Sequence, residues 1–87
     1  MRIWFKEFKD TRMICDMVVE DNTEVNRTKK VFDAIDKMCY EFDLGKPIWL
    51  DANISEFKKH ARVKFRKDNF IEQLGFDYLE MQVIEED

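Results

Sequence analysis

At 87 residues the chain has room for one domain with one modest core, and not for two. Its 45% hydrophobic and 14% aromatic content excludes a disordered chain, and no apolar run approaches the roughly 18 residues of a membrane-spanning helix. A net charge of −4 does not restrict the fold, and two cysteines are too few for a disulfide framework. Arg2, Lys6, Glu7 and Lys9 interrupt any signal-peptide core, which makes the cytoplasm the default location.

Arg2 to Lys9 and Arg12 to Glu20 read as two strands. In the second, Met13, Cys15, Met17 and Val19 alternate with Ile14, Asp16, Val18 and Glu20, and the first set is assigned to the core face. The short polar connection makes the pair a hairpin. It contains no Asn-Gly or Asp-Gly, so the turn type stays open. Val25, Thr28, Phe32, Ile35, Cys39 and Phe42 then recur at helical spacing, widened by Val31 and Met38. A helix over 24–43 follows, about 30 Å long at 1.5 Å per residue. Asn22 or Thr23 is its expected cap, Gly45 its left-handed terminator, and Pro47 bars continuation.

Asn53-Ile54-Ser55-Glu56 resembles a capping box, opening a short helix to about His60. Residues 61–66 fit two patterns. Ile54, Phe57, Ala61 and Phe65 support one continuous helix, whereas Ala61, Val63 and Phe65 alternate with Arg62, Lys64 and Arg66 as a strand does. The strand is favoured, because Val63 sits badly on the helical stripe. Asn69-Phe70-Ile71-Glu72 is a second box-like helix start, closed by Gly75. Leu79, Met81 and Val83 alternate with Glu80, Gln82 and Ile84 as a last strand. The sum is one α+β domain over residues 1–87: a small, mostly antiparallel sheet of a hairpin and a C-terminal strand, packed on one long helix, with two short helices. Strand order does not follow from these patterns.

The segments KPIWLDANISEFKKH and DNFIEQLGFDYLEMQVIEED resemble a family of short bacterial proteins from Clostridia-type anaerobes, a family with no assigned activity. The resemblance implies a bacterial cytoplasmic protein and carries no function with it.

Two surfaces stand out. Residues 58–67 hold 6 basic and no acidic side chains, and residues 68–87 hold 7 acidic and no basic ones. If 62–66 is a strand, Arg62, Lys64 and Arg66 share one face with cations about 6 to 7 Å apart, near the phosphate repeat of a single strand. Lys58, Lys59, Arg62, Lys64, Arg66 and Lys67 are therefore candidates for nucleic-acid or anion binding, with Trp4 or Trp49 to stack a base. The plainer expectation is that the acidic tail, Glu80, Glu85, Glu86 and Asp87, neutralises them. The other surface is apolar. One helix covers one face of a sheet, so Trp4, Phe8, Ile14 and Val18 on the second face need cover of their own, from the short helices or from a partner.

Catalytic and metal signatures are weak. Asp51-Ala52-Asn53-Ile54-Ser55 mimics the start of a calcium loop, but Glu56 stands where glycine is required and Arg62 where the bidentate glutamate belongs. Cys39 and His60 are the least poor nucleophile and base, yet Cys39 falls on the apolar stripe and His60 within the basic block. No catalytic residue, metal or cofactor is expected. The leading expectation is a non-enzymatic domain that binds another protein or a second copy of itself; nucleic-acid binding and a small enzyme are the alternatives.

Overall fold

The computed structural model describes residues 1–87. Strands β1 (Arg2–Lys9) and β2 (Arg12–Glu20) are followed by helices α1 (Arg27–Phe42) and α2 (Asp51–His60). Strand β3 (Arg62–Phe65), a 3-10 turn (Lys67–Asn69) and strand β4 (Tyr78–Glu85) complete the chain. All pairings are antiparallel in the order β2-β1-β4-β3, so the two ends of the chain form the middle of the sheet. This is the expected α+β fold, and the strand assignment of 62–65 prevails over a continued helix.

The hairpin turn is Asp10-Thr11, both residues with positive φ (52° and 64°). That is the left-handed pair required of a type I′ turn, whose twist matches its strands. Thr11 is β-branched and pays for this conformation. Thr11→Gly is expected to stabilise the protein by about 1 kcal/mol. Chemical denaturation would show this as a higher midpoint at unchanged slope.

One irregularity corrects the alternation in β2. Glu7 pairs with Cys15 but Phe8 pairs with Met13, which leaves Ile14 as an extra residue in a β-bulge. The bulge resets the period, and Met13, assigned above to the core, is 47% exposed.

Helix α1 is shorter than its stripe suggested, 16 residues or about 24 Å. Its cap is Asn26, whose side chain accepts from the Lys29 N–H at 2.8 Å, not Asn22 or Thr23. Thr23 instead donates through its N–H and hydroxyl to Asp21. The left-handed terminator is Asp43 (φ 54°), two residues before Gly45. Helix α2 starts at Asp51, before the expected cap: Asn53 lies within the first turn and its side chain reaches back to the Leu50 N–H. The third expected helix, after Asn69, is replaced by the 3-10 turn and an irregular run to Asp77. Asn69 caps nothing downstream because it is engaged backwards. It accepts from the Arg66 N–H (2.9 Å) and donates to the Ile48 carbonyl (2.7 Å) and to Asn53 Oδ1 (2.6 Å).

The core lies on one side of the sheet. Ile3, Phe5, Val19, Val63, Phe65, Leu79 and Met81 meet Val31, Ala34, Ile35, Met38 and Cys39 of α1. Trp49 packs its ring against Phe65 at 5.0 Å and Phe57 at 5.7 Å, which brings α2 to that same side. Glu7 is also buried on this face, between Cys15 and Leu79 in the register. Burial pushes its carboxyl above the ordinary range, against a smaller lowering by the Cys15 thiol. A folded-state pKa above the unfolded value means that ionisation opposes folding, and the cost grows as pH rises above about 4.5. Glu7→Gln is therefore expected to raise the melting temperature at pH 7, with the gain vanishing near pH 4. A gain that is constant with pH would contradict this.

The two sheet edges differ. On β3 the Lys64 N–H donates to Glu56 of α2 at 3.1 Å, and its carbonyl accepts from Asn53 at 3.4 Å. No side chain engages the backbone of β2 in that way.

Candidate functional site

Both helices lie on the core side, so the other face of the sheet has no element over it. Cross-strand register sets two rows on that face: Val18, Trp4, Gln82 and Arg62, then Asp16, Lys6, Glu80 and Lys64. Trp4, Phe8 and Val18 are thus brought to one face with Met13, whereas Ile14, the extra residue of the bulge, has no place in the register, and their surroundings differ. Trp4 donates its indole N–H to Asp16 (2.8 Å) and carries the Lys6 ammonium 3.9 Å from its ring centre. Phe8 stacks on Tyr78 with centroids 5.0 Å apart. Ile14 and Val18, on the edge strand, are 51% and 43% exposed. The short helices do not supply the cover that sequence patterning left open.

The basic block runs along the opposite margin. Lys58 and Lys59 close α2, Arg62 and Lys64 alternate on β3, and Arg66 and Lys67 lead into the 3-10 turn. Lys64 and Arg66 stand over the Tyr78 ring, at 4.9 and 5.8 Å from its centre. None of the six takes part in an ion pair. The expected neutralisation by the acidic tail is therefore corrected. Glu85 faces Arg2, Glu86 grips Arg27 with both oxygens, and Asp87 holds Lys30 and the N-terminal ammonium. These two contacts, Lys30 first, keep the Asp87 carboxyl below the usual range. Glu80 is opposite Lys64 in the register, yet its carboxylate lies 2.6 Å from Lys6. The tail runs to the helix side of the molecule because β4 sits beside β1, and the cations of α1 and the N-terminus are within its reach.

A third surface escaped the sequence reading. Between α1 and α2 opens a cleft of about 300 Å³ lined by Arg27, Thr28, Val31, Phe32, Trp49, Ile54, Phe57 and Lys58. Phe32 falls on the apolar stripe of α1 by spacing, yet it is 50% exposed. The reason is geometric: α2 packs beside α1 through the Trp49 ring, and Phe32 meets that ring edge-on at 6.3 Å instead of meeting the sheet. Arg27 sits 5.0 Å above the Phe57 ring at the rim. The signal was present in Phe32, Trp49, Ile54 and Phe57, but only the packing of α2 brings them together.

The thiols are not poised for chemistry. Cys39 is buried on α1 and burial raises its pKa; Cys15 is pushed up to about 11, first by burial and then by its hydrogen bond to Glu7. Neither is a thiolate near neutral pH. His60 is exposed at the end of α2, and the calcium-loop mimic is the start of that helix. No helix is long and apolar enough to cross a membrane. Comparison with known proteins finds no matching family model, curated protein or solved structure.

Proposed function

We propose that the protein is a non-enzymatic interaction domain of the cytoplasm, and that the cleft between α1 and α2 receives an acidic amphipathic segment of another protein. The observation that carries this reading is an exposed apolar cleft with cations at its rim. A volume of about 300 Å³ is at the small end for a ligand pocket and suits two or three anchoring side chains. Aromatic rings are the side chains most often dominant in such anchoring. The rim favours carboxylates: Arg27 already holds Glu86 of the chain's own tail, and Lys58 has no acidic partner.

A synthetic helix with leucines at i, i+3, i+4 and i+7 and glutamates between them is a suitable probe. In an NMR titration its binding is expected to shift Thr28, Phe32, Ile54 and Phe57. Phe32→Ala should weaken it about tenfold or more, and a lysine-substituted copy of the probe should not bind. Shifts confined to the bare sheet face, or no shifts at millimolar probe, would refute the assignment.

Self-association has its own supporting observation. The edge of β3 is occupied by Glu56 and Asn53 whereas that of β2 is free, and Ile14 and Val18 flank the free edge. Pairing of β2 with a second copy is expected to give a concentration-dependent dimer that Val18→Lys disperses. A strict monomer by light scattering at high micromolar concentration would exclude it.

A further inference from the structure

The bare face of the sheet joins two features that neither protein binding nor stability uses. Along β3, Arg62 and Lys64 stand two residues apart, with Arg66 at the same interval beyond the strand end, so the cations are spaced about 6 to 7 Å. None has an anionic partner within the molecule, although carboxylates lie close by. Those carboxylates are engaged elsewhere: Glu80 with Lys6 and Glu56 with the Lys64 N–H. Lys64 and Arg66 are also partly ordered by the Tyr78 ring beneath them, which lowers the entropy lost when they meet an anion.

The second feature is the row Arg62, Gln82, Trp4 across the sheet. Two strand spacings separate its ends by about 10 Å. That span matches a nucleotide laid across the strands, its phosphate at Arg62, its base on the Trp4 face opposite the Lys6 ammonium, and the Gln82 amide NH2 at the base edge, since the Gln82 oxygen accepts from Lys6.

We propose that this face binds single-stranded nucleic acid, with the backbone running along Arg62, Lys64, Arg66 and Lys67 and the bases turned inward toward Trp4 and Phe8. Binding of this kind rests on phosphate contacts and sequence-tolerant stacking. The chain as a whole carries a charge of −4, so the attraction is confined to the strip and is readily screened by salt.

Fluorescence anisotropy with labelled oligo(dT) and oligo(U) 12-mers tests this on the full chain. Three to four phosphate contacts give an expected slope of log affinity against log salt of about −2 to −3. The pair Arg62→Glu with Lys64→Glu, both on the bare face, should weaken binding about thirtyfold or more and flatten that slope. The charge-matched pair Lys29→Glu with Lys37→Glu on α1 should leave both unchanged. Trp4→Leu should cost about tenfold with the salt slope intact, since stacking releases no counterions. No binding at 20 mM salt would overturn the proposal, as would equal loss in both charge-reversed pairs. If inorganic polyphosphate competes as well per phosphate as oligo(dT) and Trp4→Leu has no effect, the strip is a generic anion surface and the nucleic-acid assignment falls.

Discussion

Phe5→Ala is expected to destabilise the protein by about 3–5 kcal/mol. Phe5 is fully buried on β1, paired on either side with Met17 and Met81, in the middle of the cluster that α1 covers. Truncation removes the transfer energy of a phenyl ring and leaves a cavity that two sheet neighbours and a helix cannot fill together. Small domains are stable by only about 5–15 kcal/mol, so the loss is a large fraction of the total. Phe8, on the same strand but turned to the bare face, is the internal control. It is half-buried and its main contact is the stack on Tyr78. Phe8→Ala should therefore cost about 1–2 kcal/mol. Equilibrium urea unfolding of the two variants measures the contrast; equal costs would mean that the sheet is covered on both sides.

The second large effect belongs to Asn69. Its side chain ties the 3-10 turn to the segment before α2 and to α2 itself through three hydrogen bonds, and it is buried. Asn69→Leu removes all three, taking from the Arg66 N–H and the Ile48 carbonyl their side-chain partner and leaving Asn53 Oδ1 only the Leu50 N–H. At about 1 kcal/mol for each bond the expected loss is about 3 kcal/mol. The segment it holds carries Trp49, so binding of the acidic helix in the cleft should weaken as well. Asn69→Asp is a sharper probe. It keeps the acceptor but places a carboxylate against two oxygens, which raises its folded-state pKa above the unfolded value. The penalty is then full above the folded pKa and relieved as pH falls through it. Stability of Asn69→Asp should rise relative to wild type on acidification; a difference independent of pH would contradict the assignment of the side-chain donors.

Much of this fold is legible in sequence where a local period coincides with a buried face. Ile3 and Phe5, Ile35 and Met38, and Leu79 and Met81 all point inward as their spacing requires. Features set by pairing between distant segments are not legible in that way. The bulge at Ile14 exists because β1 and β2 are out of step by one residue near the turn, and no local pattern records this. Asn69 has the residue type of a helix cap, yet its partners Ile48 and Asn53 are more than a dozen positions away. Asp43 takes the left-handed position that Gly45 suits better by propensity, because the helix ends at Phe42, the last residue of its apolar stripe, three residues before the glycine.

The functional surfaces divide along the same line. The alternation that placed Arg62, Lys64 and Arg66 together holds, since it is a property of one strand. The fate of their charge depended on where β4 sends the acidic tail, which is a matter of strand order. The cleft depended on the side of the sheet that α2 chooses, which nothing in residues 51–60 specifies.

That choice of side underlies both proposed surfaces, and NOE contacts of the Trp49 ring report it most directly. The expected pattern is strong contact with Phe57, Phe65 and Phe32 and none with Trp4, Phe8 or Tyr78. Contacts from Trp49, or from any side chain of α2, to Trp4 or Tyr78 would place the second helix over the face described here as bare, and would remove the aromatic cleft and the open cationic strip together.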